Sequence, residues 1–402
     1  MAIKKTEGSL TTPKGFKAAG LRSGVKKKRN DLGLIFSEIP ANAAAVYTLN
    51  AIQAAPLHIT KASIQNGRKI QAVIANSGNA NACTGAQGEQ DAKMMQQKTA
   101  ELLSIPEGLV AVASTGVIGV PMPMDIITPA IDQLQPAATP AAAEQFSAAI
   151  LTTDTFPKTT CYEAKIDGKV VTLAGTAKGS GMIKPNMATM LGFFTTDAAV
   201  EQDALQQALK AAIDQTFNCI TVDGDTSTND MVLLLANGLA ENNSLSPTHP
   251  DWSTFTELVK TACEDLAKMI ARDGEGATKL IEVDVQGAVN KQEAIQVAKS
   301  VVGSSLVKTA VYGTDANWGR IIAAIGYSGA SVNPNTIDTS IGSIQMLKDS
   351  QPVSFSEEAA TAYLENDSIL ISIDLKNGDG SGKAWGCDLT YDYVRINASY
   401  RS

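Results

Sequence analysis

The chain has 402 residues, 44% hydrophobic and 18% charged, with a formal net charge of -8 and a sequence pI near 5.0. That length exceeds what one compact core usually serves, and the balance excludes a disordered or fibrous protein. The acidic surplus argues against nucleic acid as a partner, and no stretch approaches the ~18 apolar residues that would cross a membrane.

A basic stretch opens the chain, with Lys14, Lys17, Arg22, Lys26, Lys27, Lys28 and Arg29 among its charges. It reads as a solvated surface run. No apolar block follows it, so a secretory signal is not expected and the protein is placed in the cytoplasm. Asp31–Ser37, Ala45–Leu49 and Gln71–Asn76 then read as short apolar strands, and Glu89–Leu103 as a helix. Leu109–Ser114 is a continuous apolar run ending in Thr115-Gly116, as when a buried strand meets a turn. Helices are predicted at Asp125–Leu134 and at Pro140–Leu151, the second with proline at its start.

Strands Thr159–Ile166 and Lys169–Ala174 flank Asp167-Gly168, a hairpin signal. Beyond Lys178–Met190 come a strand at Leu191–Thr195, a helix at Gln202–Phe217, a strand at Met231–Ala236 and a helix at Ser253–Arg272. In the last helix Phe255, Leu258, Cys263 and Leu266 share a core-facing stripe. A second α/β unit follows: strand Leu280–Val285, helix Lys291–Ser300, strand Leu306–Val311 and helix near Trp318–Ile325. The tail, Ile369–Leu375 and Trp385–Ile396, reads as strand-rich. The fold class is mixed α/β in layers, with a catalytic domain over 1–280 and a smaller α/β domain over 281–402.

Five dispersed cysteines without a CxxC pair read as reduced, buried thiols. Only two histidines exist, His58 and His249, both in settings that read as loops. A Ser-His-Asp triad or a histidine metal site is therefore not expected, and the metal expectation is none. The segment Lys178–Leu191 lacks the spacing of a phosphate loop. In it Thr189 follows the small Ala188 at the head of an apolar strand, just after a glycine- and proline-bent loop. Two readings stay open on these residues alone: an ordinary strand threonine, or a nucleophile freed when its hydroxyl attacks the preceding carbonyl. A free α-amine, with a pKa of about 7.7–8.0, then acts as base without histidine.

Across nearly its whole length the chain resembles the ornithine acetyltransferase family, bifunctional in some members as glutamate N-acetyltransferase. The blocks that carry the resemblance are Asn76–Gly85, Ser114–Gly119, Thr152–Lys158, Lys178–Leu191, Thr221–Asp230, Ala271–Lys279, Asn317–Ile321 and Ile396–Ser402. The resemblance implies the sandwich fold of self-cleaving N-terminal-nucleophile enzymes, and cleavage between Ala188 and Thr189. It makes Thr189 the nucleophile, with Thr115 and Gly116 at the oxyanion hole. Thr152, Lys178, Thr189, Glu275, Asn397 and Ser402 match substrate-binding positions, and the tail returns to the active site. Lys178 is assigned to a carboxylate and Glu275 to the ornithine amine, an orientation the residues leave open.

The implied reaction takes acetyl from N-acetylornithine onto Thr189 and gives it to glutamate. No cofactor is expected, and acetyl-CoA as a second donor is left open. The partners implied are the small-molecule substrates and the chain's own α and β fragments, paired as α2β2. A self-cleaving aminopeptidase or amidohydrolase of similar fold is the alternative. Ser402 stands where the family usually has threonine and Ala316 where it has proline; Asn317, Trp318 and Arg320 read as a structural helix start.

Overall fold

The computed structural model of the chain describes residues 3–184 and 190–399. The chain divides into two compact units: Met1–Gly179, Pro185–Asp214 and Thr226–Leu266 form the first, and Ser180–Lys184, Gln215–Asp225 and Ala267–Ser402 the second.

Among the described residues the first unit holds a nine-stranded sheet. Its strands are β1 (Lys4–Lys5), β2 (Phe16–Leu21), β3 (Leu32–Tyr47), β4 (Lys69–Asn79), β5 (Val110–Val117), β6 (Lys158–Ile166), β7 (Lys169–Lys178) and β8 (Leu191–Thr196). After the short β9 (Ile220–Thr221), which joins the other sheet, β10 (Met231–Ala236) completes it. The order is β1-β6-β7-β8-β10-β3-β4-β5, with β2 paired to β3. β8 and β10 run parallel, Leu191 opposite Met231, while β7 is antiparallel to β8 and β3 to β10.

Helices α1 (Ala55–Gly67), α2 (Gly85–Leu103), α3 (Met124–Ile131), α4 (Pro140–Ala149) and α5 (Gln202–Ile213) belong to this unit, and α6 (Trp252–Arg272) begins in it. Strand side chains alternate between two apolar layers. Ile35, Val73, Leu233 and Phe193 pack with Phe146 of α4 in one. Leu34, Ile74 and Val112 pack with Met95 of α2 and Ile127 of α3 in the other. Coverage on both faces is why β4, β5, β8 and β10 read as continuous apolar runs rather than as alternating ones.

The second unit carries β11 (Leu280–Ala288), β12 (Asp338–Ile341), β13 (Ile344–Lys348), β14 (Gln351–Pro352), β15 (Ser368–Asp374) and β16 (Gly380–Cys387), in the order β14-β13-β12-β15-β11-β16-β9. Its helices are α7 (Lys291–Val302), α8 (Ser305–Tyr312), α9 (Trp318–Gly326), α10 (Glu357–Leu364) and α11 (Tyr391–Ala398). The mixed α/β class is as expected, and β6, β7, β8, β10 and α6 fall where the sequence puts them.

Several elements differ. The two strands expected over Asp31–Leu49 are one, β3, bent by a register shift between Phe36 and Ala41. His58 lies in α1 rather than in a loop. Leu306–Val311, read as a strand, is helix α8, and Tyr391–Ile396 belongs to α11. Asn317 caps α9 by accepting the Arg320 N–H at 3.3 Å, as a structural helix start should. Four cysteines are buried, but Cys83 is exposed, against expectation.

Candidate active site

Thr115 lies near the end of β5 and Lys178 at the end of β7, both buried. Thr115 and Gly116 are still within the strand, where a turn was expected. Gly116 has φ +137°, and an added Cβ would sit 2.3 Å from the Gly78 carbonyl carbon. Only glycine lets β5 approach β4 this closely. The Lys178 ammonium donates to Thr115 Oγ1 at 3.4 Å, so a cation and a hydroxyl converge.

Next to Lys178 lies a residue the sequence reading passed over. Asp154 is buried; Oδ1 accepts from Lys158 Nζ at 2.7 Å and from the Gly179 N–H at 2.7 Å, and Oδ2 from the Thr152 N–H at 3.0 Å. Burial pushes its carboxyl up, but the charges of Lys178 and Lys158 and the hydrogen bonds from Lys158 and the Thr152 N–H overcome this and hold it at about 2. Thr152, expected at the substrate site, and Gly179, the chain neighbour of Lys178, are thus tied to one carboxylate. Lys26 also departs from its expected solvated state: Nζ donates to the Leu151 carbonyl at 2.9 Å, and burial lowers its pKa to about 8.

In the second unit Glu275 follows α6 and is buried, with its N–H donating to the Ser180 carbonyl at 2.9 Å. Gly181 lies against its carboxyl; a Cβ there would come within 2.4 Å of both oxygens. Asn397 of α11 donates to Glu275 Oε2 at 2.8 Å, so two expected binding residues meet. Asp223 accepts the Met182 and Ile183 N–H groups at 2.6 and 2.8 Å. Burial first, then the charges of Asp223, Glu275 and Asp225, push the Tyr393 phenol up to about 12. This surface suits a cationic group. Ala188, Thr189 and Ser402 lie outside the described residues.

The Asn76–Gly85 block has a supporting role. Asn76 Oδ1 accepts from Ser114 Oγ at 2.5 Å, and Asn79 Nδ2 donates to the carbonyls of Val120 and Pro121 at 3.1 and 3.0 Å. Asn229 Nδ2 donates to the Ser114 carbonyl at 2.8 Å. Sequence reasoning missed Asp154, Asp223 and Asp230, although each stands inside a quoted block; membership of a block was the available signal.

Among the described residues one trio, Asp167, His249 and Asp251, has potential metal-ligand atoms within 4.8 Å of one another. The His249 ring is already engaged: Nδ1 accepts the Asp251 N–H at 3.0 Å and Nε2 lies 3.2 Å from Asp167. The trio therefore fastens the β6–β7 hairpin. No helix of the described residues is long and apolar enough to cross a membrane.

The sequence pattern of the ArgJ family matches residues 17–402. An arginine biosynthesis bifunctional protein ArgJ from Halalkalibacterium halodurans is 63% identical over 401 residues, covering 100% of this chain and 98% of the relative. One from Geobacillus kaustophilus is 59% identical over 396 residues, covering 98% and 97%. The crystal structure of the Bacillus halodurans ArgJ protein is similar with 67% identity and a TM-score of 0.51, over 52% of this chain and 98% of that chain.

Proposed function

The chain belongs to the ArgJ family, and from that premise we propose that it moves acetyl from N-acetylornithine to glutamate through an ester on Thr189. Self-cleavage of the Ala188–Thr189 bond first frees the threonine amine. The observation that carries this reading is the buried convergence of Lys178 on Thr115 at 3.4 Å, with Asp154 accepting the N–H of the next residue, Gly179. It offers a cation for a substrate carboxylate beside a hydroxyl suited to a developing oxyanion.

In the reaction the Thr189 amine takes the proton of its own hydroxyl, and the hydroxyl oxygen attacks the acetyl carbonyl. The Thr115 hydroxyl and the Gly116 N–H stabilise the oxyanion; losing one such donor typically costs about 10²–10³ in turnover. Ornithine leaves with the proton, and the amine of glutamate attacks the ester. Donor and product are both amides, so the exchange is near thermoneutral and needs no cofactor. Lys178 binds the substrate carboxylate with Thr152 beside it, and Glu275, supported by Asn397, takes the side-chain amine of ornithine; Ser402 adds a hydroxyl.

The word bifunctional in the relatives' names supports acetyl-CoA as a second donor. Cleavage is supported by length: the Bacillus halodurans chain is matched almost entirely by 52% of this one, and a break before Thr189 leaves just over half on its C-terminal side. The two pieces are proposed to pair as α2β2 in the cytoplasm.

Intact-protein mass spectrometry tests the reading. Two fragments are expected, the second beginning at Thr189 and gaining one acetyl group from N-acetylornithine, and separately from acetyl-CoA. A single 42.0 kDa chain that never gains mass would sink it.

A further inference from the structure

Asp230 stands at the head of β10 and is buried. Its carbonyl accepts the Thr48 N–H at 3.0 Å, which fixes the backbone there. The next residue, Met231, donates its N–H to the Met190 carbonyl at 3.1 Å and pairs with Leu191 across the parallel ladder. Asp230 is therefore level with Met190, the residue covalently attached to Thr189. Its carboxyl has the Ser227 hydroxyl and the Met190 amide N–H as hydrogen-bond partners, and Lys178 is the charged group that acts on it. Its Oδ2 is buried with no hydrogen-bond partner among the described residues.

A buried carboxylate with an unpaired oxygen is costly, and the group lowers that cost by keeping its proton. Burial raises the Asp230 pKa well above the ordinary carboxyl range, opposed by Ser227, Lys178 and the Met190 amide. The result is a neutral carboxylic acid, with one oxygen unpartnered among the described residues, hydrogen-bonded one peptide unit from the bond to be cut.

We propose that Asp230 is the proton relay of self-cleavage, carrying the Thr189 hydroxyl proton to the departing Thr189 nitrogen. This rests on the reading of Thr189 as nucleophile. In the step the Thr189 Oγ bonds to the Ala188 carbonyl carbon and the carbon–nitrogen bond breaks. The hydroxyl loses one proton and the nitrogen gains one. A neutral carboxylic acid does both: one oxygen accepts a proton while the other releases one, and the acid ends as it began. No net charge builds up in a buried place, where an isolated ion is disfavoured. A carboxylate could accept but not donate. The uncut chain has no free amine at Thr189, so the base used later in acetyl transfer is absent at this stage.

The test follows cleavage of freshly made full-length chain by intact mass, from mildly acidic to mildly alkaline pH, for wild type, Thr189→Ala, Asp230→Asn and Asp230→Glu, with melting curves to establish folding. Wild type is expected to slow as pH rises and the acid ionises. Asp230→Asn is expected to cleave roughly 10²-fold or more slowly and to lose that pH dependence. A merely structural role would scale the rate without changing the profile. Should Asp230→Asn fail to fold, Asp230→Glu decides: it keeps the acid but displaces it, and a rate at least about tenfold lower supports the relay. Wild-type rates in a folded Asp230 variant, with Thr189→Ala uncut, overturn the relay alone. An uncut wild type, or a Thr189→Ala chain cut like wild type, overturns the nucleophile reading and the relay with it.

Discussion

Asp154 accepts the N–H of Gly179 at 2.7 Å, and so fixes the residue that follows Lys178. The same carboxylate takes the N–H of Thr152, so one buried acid sets the positions of two proposed substrate contacts. Replacing it with asparagine removes the negative charge that faces Lys158 at 2.7 Å in a dry site, a type of change that costs about 3–5 kcal/mol. Asp154→Asn should lower thermal stability, and in the folded fraction raise KM for the carboxylate substrate; melting curves and steady-state kinetics check both. Unchanged values for both would show that the network does not position the site.

The same residue sets an acid limit. Its carboxyl is held at about 2 against an ordinary 3.8, so it favours the folded state by about 2 kcal/mol. Because the folded pKa is depressed, that contribution is present above the unfolded value and is lost as pH falls through about 2. Wild type should lose stability between about pH 4 and pH 2 more steeply than Asp154→Asn. Denaturant unfolding at a series of pH values reads the difference, and parallel curves would refute it.

Gly116→Ala meets two obstacles, a φ of +137° and a Cβ 2.3 Å from the Gly78 carbonyl carbon. The strain is of order 1–3 kcal/mol, and any movement of the 116 N–H weakens the oxyanion contact. Turnover should drop roughly 10²-fold in protein that still folds. Wild-type kcat in this variant would remove Gly116 from the proposed oxyanion hole.

Glu275→Gln keeps an acceptor for Asn397, which lies 2.8 Å from Oε2, but removes the charge. KM for N-acetylornithine should rise about tenfold or more, the scale of one lost charged hydrogen bond, while acetylation of glutamate from acetyl-CoA changes less. Equal losses with both donors would place Glu275 on the glutamate side instead.

Deleting residues 397–402 removes the Asn397 partner of Glu275. Hydrolysis of the acetyl ester should rise relative to transfer, as product analysis by mass spectrometry would show. Wild-type partitioning in the truncated enzyme would rule out a water-excluding role for the tail.

The sheet interior was legible because burial on both faces leaves continuous apolar runs, as in β8 and β10. Helix α1 was hidden by Pro56, which reads as a break but sits in the first turn, where its missing N–H is harmless. Helix α8 is one short apolar stretch without a clear period, and only its cap, Ser304 accepting from the Val307 N–H, marks it as helical. The long β3 reads as two strands because Glu38 and Pro40 interrupt its apolar run; a bulge absorbs them. At the site, Lys178, Thr152 and Glu275 were found through family blocks. Asp154 and Asp230 escaped because nothing local to an aspartate tells whether distant strands will bury it.

Strand order has one more consequence. β8 and β10 lie side by side between β7 and β3, and a cut before Thr189 assigns the middle pair to one polypeptide and their outer neighbours to the other. Six residue pairs join β8 to β7 and six join β10 to β3, so the seam between the pieces runs through the centre of a hydrogen-bonded sheet. The two polypeptides are then bound as parts of one folded body rather than as docked subunits. In a chain cut there, dilution is not expected to separate the pieces without unfolding.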